Sequence, residues 1–219
     1  MATRLLLSGL VDGFQQRSGL RVAIESVGGL DAAKRVQAGE AFDFVVLASD
    51  AIDRLTASGH VQAGSRVDFA RSGIAVAVRA SAPQPDISTE AALREAVRSA
   101  RSVSYSTGPS GVAVAKLFER WGMTQEIQGR LVQAPPGVPV GGLVARGEVA
   151  LGFQQLSELM HLDGISVLGP LPAAIQVTTT FSVGICTGSL QVGAVQALLA
   201  YMTSAEATAV LRSNGMSPA

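Results

Sequence analysis

Three times along this 219-residue chain, an apolar, strand-like run stops at a cluster of Gly, Ser, Thr or Pro and a helical pattern begins. The first run, Val22 to Glu25, passes through Ser26, Val27, Gly28 and Gly29 into a helix from Leu30 to Val36. The second, Val103 to Tyr105, passes through Ser106, Thr107, Gly108, Pro109, Ser110 and Gly111 into Val112 to Phe118. The third, Leu131 to Gln133, passes through Pro135, Pro136, Gly137, Val138 and Pro139 toward Leu143 and Arg146. Turns of this kind leave backbone N–H groups and small hydroxyls free at a helix N-terminus, where they bind anions without a full opposing charge. One such turn is an ordinary strand-to-helix connection; three in one chain point to a small anion as ligand.

Composition narrows the partner. Only 16% of residues are charged, and 17 Lys plus Arg balance 17 Asp plus Glu. A nucleic-acid partner needs a basic face, which this balance does not provide. The longest apolar stretch near Gly73 to Val78 is strand-sized, well short of the ~18 residues of a membrane helix. Cys186 is the single cysteine, in an apolar β-branched stretch that suits a buried structural thiol better than a nucleophile. His60 and His161 lie far apart in sequence, too few with Cys186 for a histidine–cysteine metal site, so neither metal nor cofactor is expected. Met1 to Arg4 runs directly into an amphipathic pattern, with no apolar signal segment. The expected location is periplasmic if such a segment has been removed, cytoplasmic otherwise.

Periodicity predicts an α/β chain. Leu6, Leu7, Leu10, Val11 and Phe14 share one face of a helix over 4–17, opposite Asp12, Gln15 and Gln16. A strand at 20–25 and a helix from 29 to about 39 follow. Next come a continuously apolar strand at 43–48, of the kind buried on both faces of a parallel sheet, and a short helix capped by Ser49 and Asp50. After a long β stretch at 69–79, a second series begins: helix 89–98, strand 102–105, helix 110–121, strand 130–133, helix 140–146, strand 149–153, a helical turn at 157–159 and strand 165–168. A second long β stretch at 175–186 precedes helices at 190–202 and 204–211. The two long stretches bracket the second series, so they are expected to carry the chain between two lobes. The predicted division is 1–74 with 182–219, and 75–181, with a ligand cleft between them.

These segments resemble the type II periplasmic-binding-protein fold, and within it the molybdate-binding proteins of ABC importers. The resemblance rests on Glu25 to Glu40, Phe42 to Asp50, Ser106 to Gly111, Val144 to Phe153 and Ser204 to Ala207, in an order spanning nearly the whole chain. It implies a two-lobed α/β architecture, each lobe a parallel-rich sheet with flanking helices. It also implies one small anion per chain and an importer permease as partner, with no membrane insertion and a monomeric state. The family opens with a strand and a serine loop; here the chain starts at or inside that loop. A missing first strand would leave an edge open to a swapped or edge-paired dimer. Two serines the molybdate binders carry are replaced, by Gly28-Gly29 and by Ala48 with Ser49 displaced beside it.

Those replacements favour an organic carboxylate over a compact oxyanion. Arg4 and Arg71 offer guanidinium groups that clasp carboxylates bidentately; Arg71 equally suits a surface ion pair. Tyr105, Ser106, Thr107, Ser110 and Gly111 add hydroxyls and N–H groups, and Gln154 and Gln155 add amides, or else begin a solvated helix. Thr3, Ser26, Gly28, Gly29, Ser49, Pro136, Gly137 and Val138 complete the expected ligand-binding set. The leading functional expectation is a solute-binding protein serving an importer. The alternative is an isomerase of an unsaturated carboxylate, because some relatives of the molybdate binders resemble enzymes that move a proton along aconitate. That chemistry needs a base, for which Glu25, Asp50 and Glu158 are the candidates, and a cation such as Arg71 to hold developing charge.

Overall fold

The computed structural model describes residues 2–219, and Met1 lies outside the described residues. The chain forms two compact units, Met1–Ser72 with Thr179–Ala219 and Gly73–Thr178. Both changes of unit fall within or beside long strands, β2 (Val67–Arg79) and β7 (Thr178–Ile185).

Unit 1 holds α1 (Arg4–Ser18), α2 (Gly29–Gln37), β1 (Phe44–Ala48), α3 (Ser49–Ala57) and the start of β2. The returning chain adds β7, α9 (Val192–Met202), α10 (Ala205–Ser213) and the short β8 (Ser217–Pro218). The apolar stripe of α1 read from the sequence is the buried one: Leu6, Leu10 and Phe14 pack with Phe69, Val183, Leu198 and Leu211. Ser204 caps α10, its hydroxyl accepting from the Ala207 N–H.

Unit 1 departs from expectation in three places. The segment at 20–25 is not a strand. Its alternation is right, with Val22 and Ile24 half-buried between exposed Arg21, Ala23 and Glu25, but no ladder partner lies beside it among the described residues. The Val22 N–H instead donates to Gln15 Oε1 at 2.8 Å. The described ladders of this unit are antiparallel, β1 to β7 from Phe44↔Ile185 to Ala48↔Phe181 and β2 to β8 at Arg71↔Ser217. The apolar run of β1 reflects burial on both faces, Val45 and Leu47 in one cluster and Phe44 and Val46 against another, and that burial is blind to strand direction. Finally, Ser49 is the first residue of α3 and makes no capping bond; Ala48 occupies the cap position.

Unit 2 holds the rest of β2, α4 (Glu90–Ser99), β3 (Val103–Tyr105), α5 (Pro109–Arg120), α6 (Thr124–Ile127) and β4 (Leu131–Gln133). It continues with α7 (Val140–Ala145), β5 (Leu151–Gln155), α8 (Leu156–Leu159) and β6 (Ile165–Pro170). The strands lie in the order β2, β5, β3, β4; β3 runs parallel to both β4 and β5, while β5 and β6 are antiparallel to β2. One core face carries Val76, Leu93, Val103, Phe118, Leu151 and Phe153, with Phe118 edge-on to Phe153 at 5.7 Å. The β stretch expected from 175 starts only at Thr178, because Pro170 and Pro172 turn the chain and Ile175 sits in a 3-10 turn. The strand expected to end at 153 runs on to Gln155, so Gln154 and Gln155 are buried strand residues, each 2% exposed, and not a solvated helix start.

Candidate functional site

Three loops of unit 2 leave the C-terminal ends of the parallel strands β3, β4 and β5, the edge where open α/β sheets bind ligands. The loop after β3 is the most constrained. Pro109 opens α5, where its lacking N–H and fixed φ are no loss. Ser106 Oγ accepts from the Gly108 N–H at 3.3 Å and meets Ser110 Oγ at 3.2 Å, so two hydroxyls and one backbone N–H close on each other. A side chain at Gly111 would place its Cβ 1.6 Å from the Ser106 carbonyl oxygen. Only glycine lets the helix start fold down on Ser106. The N–H groups of Ser110 and Gly111 have no acceptor among the described residues, and they lie where a 12-residue helix is electropositive. Tyr105 and Thr107 are half-buried beside them.

The loop after β4 is shorter on chemistry. Gly137 takes a left-handed turn at φ 78°, and the Val138 N–H closes it on the Pro135 carbonyl. Pro136 and Gly137 are exposed and Val138 half-buried. Beyond it, the Gly141 N–H in the first turn of α7 donates to Gln154 Oε1 at 3.3 Å, which ties this loop to β5.

At the end of β5 the polar groups go inside. Gln154, Gln155 and Ser157 are buried, and Ser157 Oγ has no partner within the described residues. Glu158, half-buried in α8, has its carboxyl pushed above the usual carboxylate range, chiefly because burial disfavours the charge. Ser104 Oγ, on β3 beside Gly152, is likewise buried and unpartnered. Sequence reasoning missed Ser104, Ser157 and the Gln154 link. Alternation through Leu151, Phe153 and Gln155 against Gly152 and Gln154 was the available signal.

The remaining expected residues belong to unit 1. Thr3 is buried just before α1 and its carbonyl accepts from Leu7, while Arg4 is exposed. Gly28 caps α2 and Gly29 begins it, with Ser26 exposed before them. Ser49 is half-buried and Asp50 exposed in the first turn of α3. Two of the three carboxylates are engaged at the surface, Glu25 with Arg35 and Asp50 with Arg54, each at 2.7 Å. Arg35 also holds Glu40 and covers the Phe42 ring at 4.9 Å. Arg71 is exposed on β2 and has no ion pair among the described residues; its charge adds to that of Arg66 in holding the Asp68 carboxyl below its ordinary range. The Cys186 thiol is pushed up to about 11, by burial first and Asp43 second, which makes it inert at neutral pH. No group of His, Cys, Asp and Glu among the described residues is arranged to hold a metal ion. No single helix among them is long and apolar enough to cross a membrane.

A two-unit α/β chain with elements in this order has known counterparts. The model of the bacterial extracellular solute-binding protein family matches residues 1–217. The chain belongs to that family. Similar to it in sequence is an aconitate isomerase from Pseudomonas sp, 40% identical over 185 residues, which are 84% of this chain and 70% of the relative. Among solved structures, the periplasmic molybdate-binding protein of Azotobacter vinelandii superposes with a TM-score of 0.79 at 20% identity, covering 96% of this chain and 93% of that one. The tungstate-binding protein TupA from Desulfovibrio alaskensis G20 gives 0.69 at 15% identity, covering 98% and 93%. The type II periplasmic-binding-protein fold expected from the sequence is therefore the fold of this chain. At these identities the structural neighbours speak for architecture and leave the ligand to the site's own chemistry.

Proposed function

We propose that this protein binds a small unsaturated polycarboxylate and shifts a proton along it, as an isomerase of the aconitate kind. The observation that carries this reading is Glu158, a carboxyl group held at a raised proton affinity by burial at the end of β5. A carboxylate whose proton affinity is raised by burial is a stronger base than an exposed one, which suits it to take a proton from a carbon acid. The aconitate isomerase at 40% identity supports the same chemistry.

The step needs no cofactor. Ionised Glu158 takes a proton from the CH2 that lies between the alkene and a carboxylate. The C–H electron pair spreads over the allylic carbons and into that carboxylate. The proton returns from Glu158 to the far allylic carbon, the double bond moves by one position, and the base is restored. Hydroxyls of Ser106, Thr107 and Ser110, with the free N–H groups at the start of α5, hold a carboxylate and the charge that develops on it.

Family membership favours a second reading, capture of an organic carboxylate in the periplasm for an importer permease. One experiment separates the two. The purified protein is screened by thermal shift against small di- and tricarboxylates, molybdate, tungstate, sulfate and phosphate, and each hit is followed by proton NMR after overnight incubation. A stabilising tricarboxylate that comes back isomerised supports the enzyme; one that comes back unchanged supports transport. Stabilisation by molybdate or tungstate alone overturns the carboxylate reading.

A further inference from the structure

Asn214 is the only asparagine among the 219 residues, and Gly215 follows it directly. The pair closes α10. The Gly215 N–H donates to the Arg212 carbonyl at 3.0 Å and the Met216 N–H to the Leu211 carbonyl at 3.0 Å, the double closure that ends a helix at a left-handed residue. Gly215 is that residue, at φ 68°, where a side chain would be strained. Leu211 and Met216, on either side of the turn, belong to the same buried cluster. The fold therefore asks for a glycine immediately after the asparagine. With no side chain to shield it, the nitrogen of that glycine is free to approach the Asn214 carboxamide carbon and close a five-membered ring whenever the turn opens.

We infer that Asn214 is a site of spontaneous deamidation, gated by opening of the last turn of α10. In the reaction the Gly215 nitrogen loses its proton to solvent and forms a bond to Asn214 Cγ. The bond from Cγ to Nδ2 breaks, and Nδ2 takes up one proton and leaves as ammonia. Water then adds at either carbonyl of the cyclic imide, giving aspartate or isoaspartate. In the closed turn both reacting groups are engaged. The Gly215 N–H is held by the Arg212 carbonyl, and Asn214 Nδ2 donates to the Val210 carbonyl at 2.9 Å. Ring closure requires a deprotonated nitrogen turned onto Cγ, so both hydrogen bonds break first and the open fraction sets the rate. Reaction makes the opening permanent. A carboxylate has no donor for the Val210 carbonyl, and its charge sits at the negative end of the helix dipole. Isoaspartate also adds one carbon to the main chain between α10 and β8, whose Ser217 and Pro218 pair with Arg71 and Ala70.

Trypsin cleaves after Arg212 and releases Ser213 to Ala219, a peptide with no other amide side chain, so the reaction is read from its mass. The folded full-length protein and a synthetic peptide of the same sequence are incubated side by side in mildly alkaline buffer. The free peptide is expected to gain about one mass unit and to separate by chromatography into aspartate and isoaspartate forms, with the folded protein reacting at least tenfold more slowly. Met216→Ala removes the buried side chain that follows the turn and should speed the reaction in the folded protein at least threefold. Asn214→Gln, which would have to close a six-membered ring, should gain no mass over the same time. Equal rates in folded protein and free peptide overturn the gate. A wild-type rate in Met216→Ala overturns its assignment to this turn. No mass gain in the free peptide overturns the site itself.

Discussion

Gly111→Ala is the sharpest test of the turn at the start of α5. The added Cβ would lie 1.6 Å from the Ser106 carbonyl oxygen, 2.5 Å from its carbon and 3.1 Å from its nitrogen. Carbon atoms settle at roughly 3.5–4.0 Å from their neighbours, so helix and turn must separate by about 1.5–2 Å. The obstruction is backbone, and no rotamer change relieves it. Alanine gains about 1 kcal/mol of helix propensity over glycine, while forced overpacking costs about 1–3 kcal/mol or more. The net effect is thus small to moderate on stability, a fall in Tm of up to about 8 °C at roughly 2–4 °C per kcal/mol. The effect on the site is larger, because separation breaks the Ser106–Ser110 cluster and swings the free N–H groups away. We expect ligand affinity to fall at least tenfold, measured by calorimetry with the carboxylate found in the screen. Gly193→Ala is the control, since that helical glycine has open space around it and the change should leave Tm level or slightly raised and binding unchanged. Wild-type affinity in Gly111→Ala would refute the assignment of this turn to the ligand.

The other substitutions probe charge and burial. Burial raises the folded-state pKa of Glu158, so its ionisation costs stability as pH climbs from the unfolded value of ~4.3 through the folded one. Glu158→Gln should melt with the wild type near pH 4, melt higher at pH 8, and lose isomerisation; a lower Tm than wild type at pH 8 would show that the charge is welcome where it lies. Ser104→Ala deletes a buried hydroxyl that lacks a partner among the described residues, a burden of about 1–3 kcal/mol, and should raise Tm by at least about 2 °C in a thermal scan. A drop in Tm would mean that the hydroxyl is bonded.

Local pattern was sufficient for much of this chain. The 3.6-residue spacing of Leu6, Leu10 and Phe14 set the buried face of α1, and the Gly–Pro–Ser–Gly turn announced the start of α5, because helix periodicity and turn chemistry act within a few residues. The order of the segments carried the family fold as well, since sequence order constrains which connections are sterically possible. Tertiary structure decided what depends on neighbours from elsewhere in the chain. The 20–25 segment has strand alternation and no strand beside it. The β1 strand has the apolarity of a parallel strand, yet β7 reaches it from some 130 residues away and runs antiparallel. Three carboxylates looked alike as candidate bases. Glu25 and Asp50 found arginines at the surface, while Glu158 was drawn into a half-buried turn. Sequence supplies the carboxyl group, but its proton affinity is set by the dielectric and the donors that folding places around it.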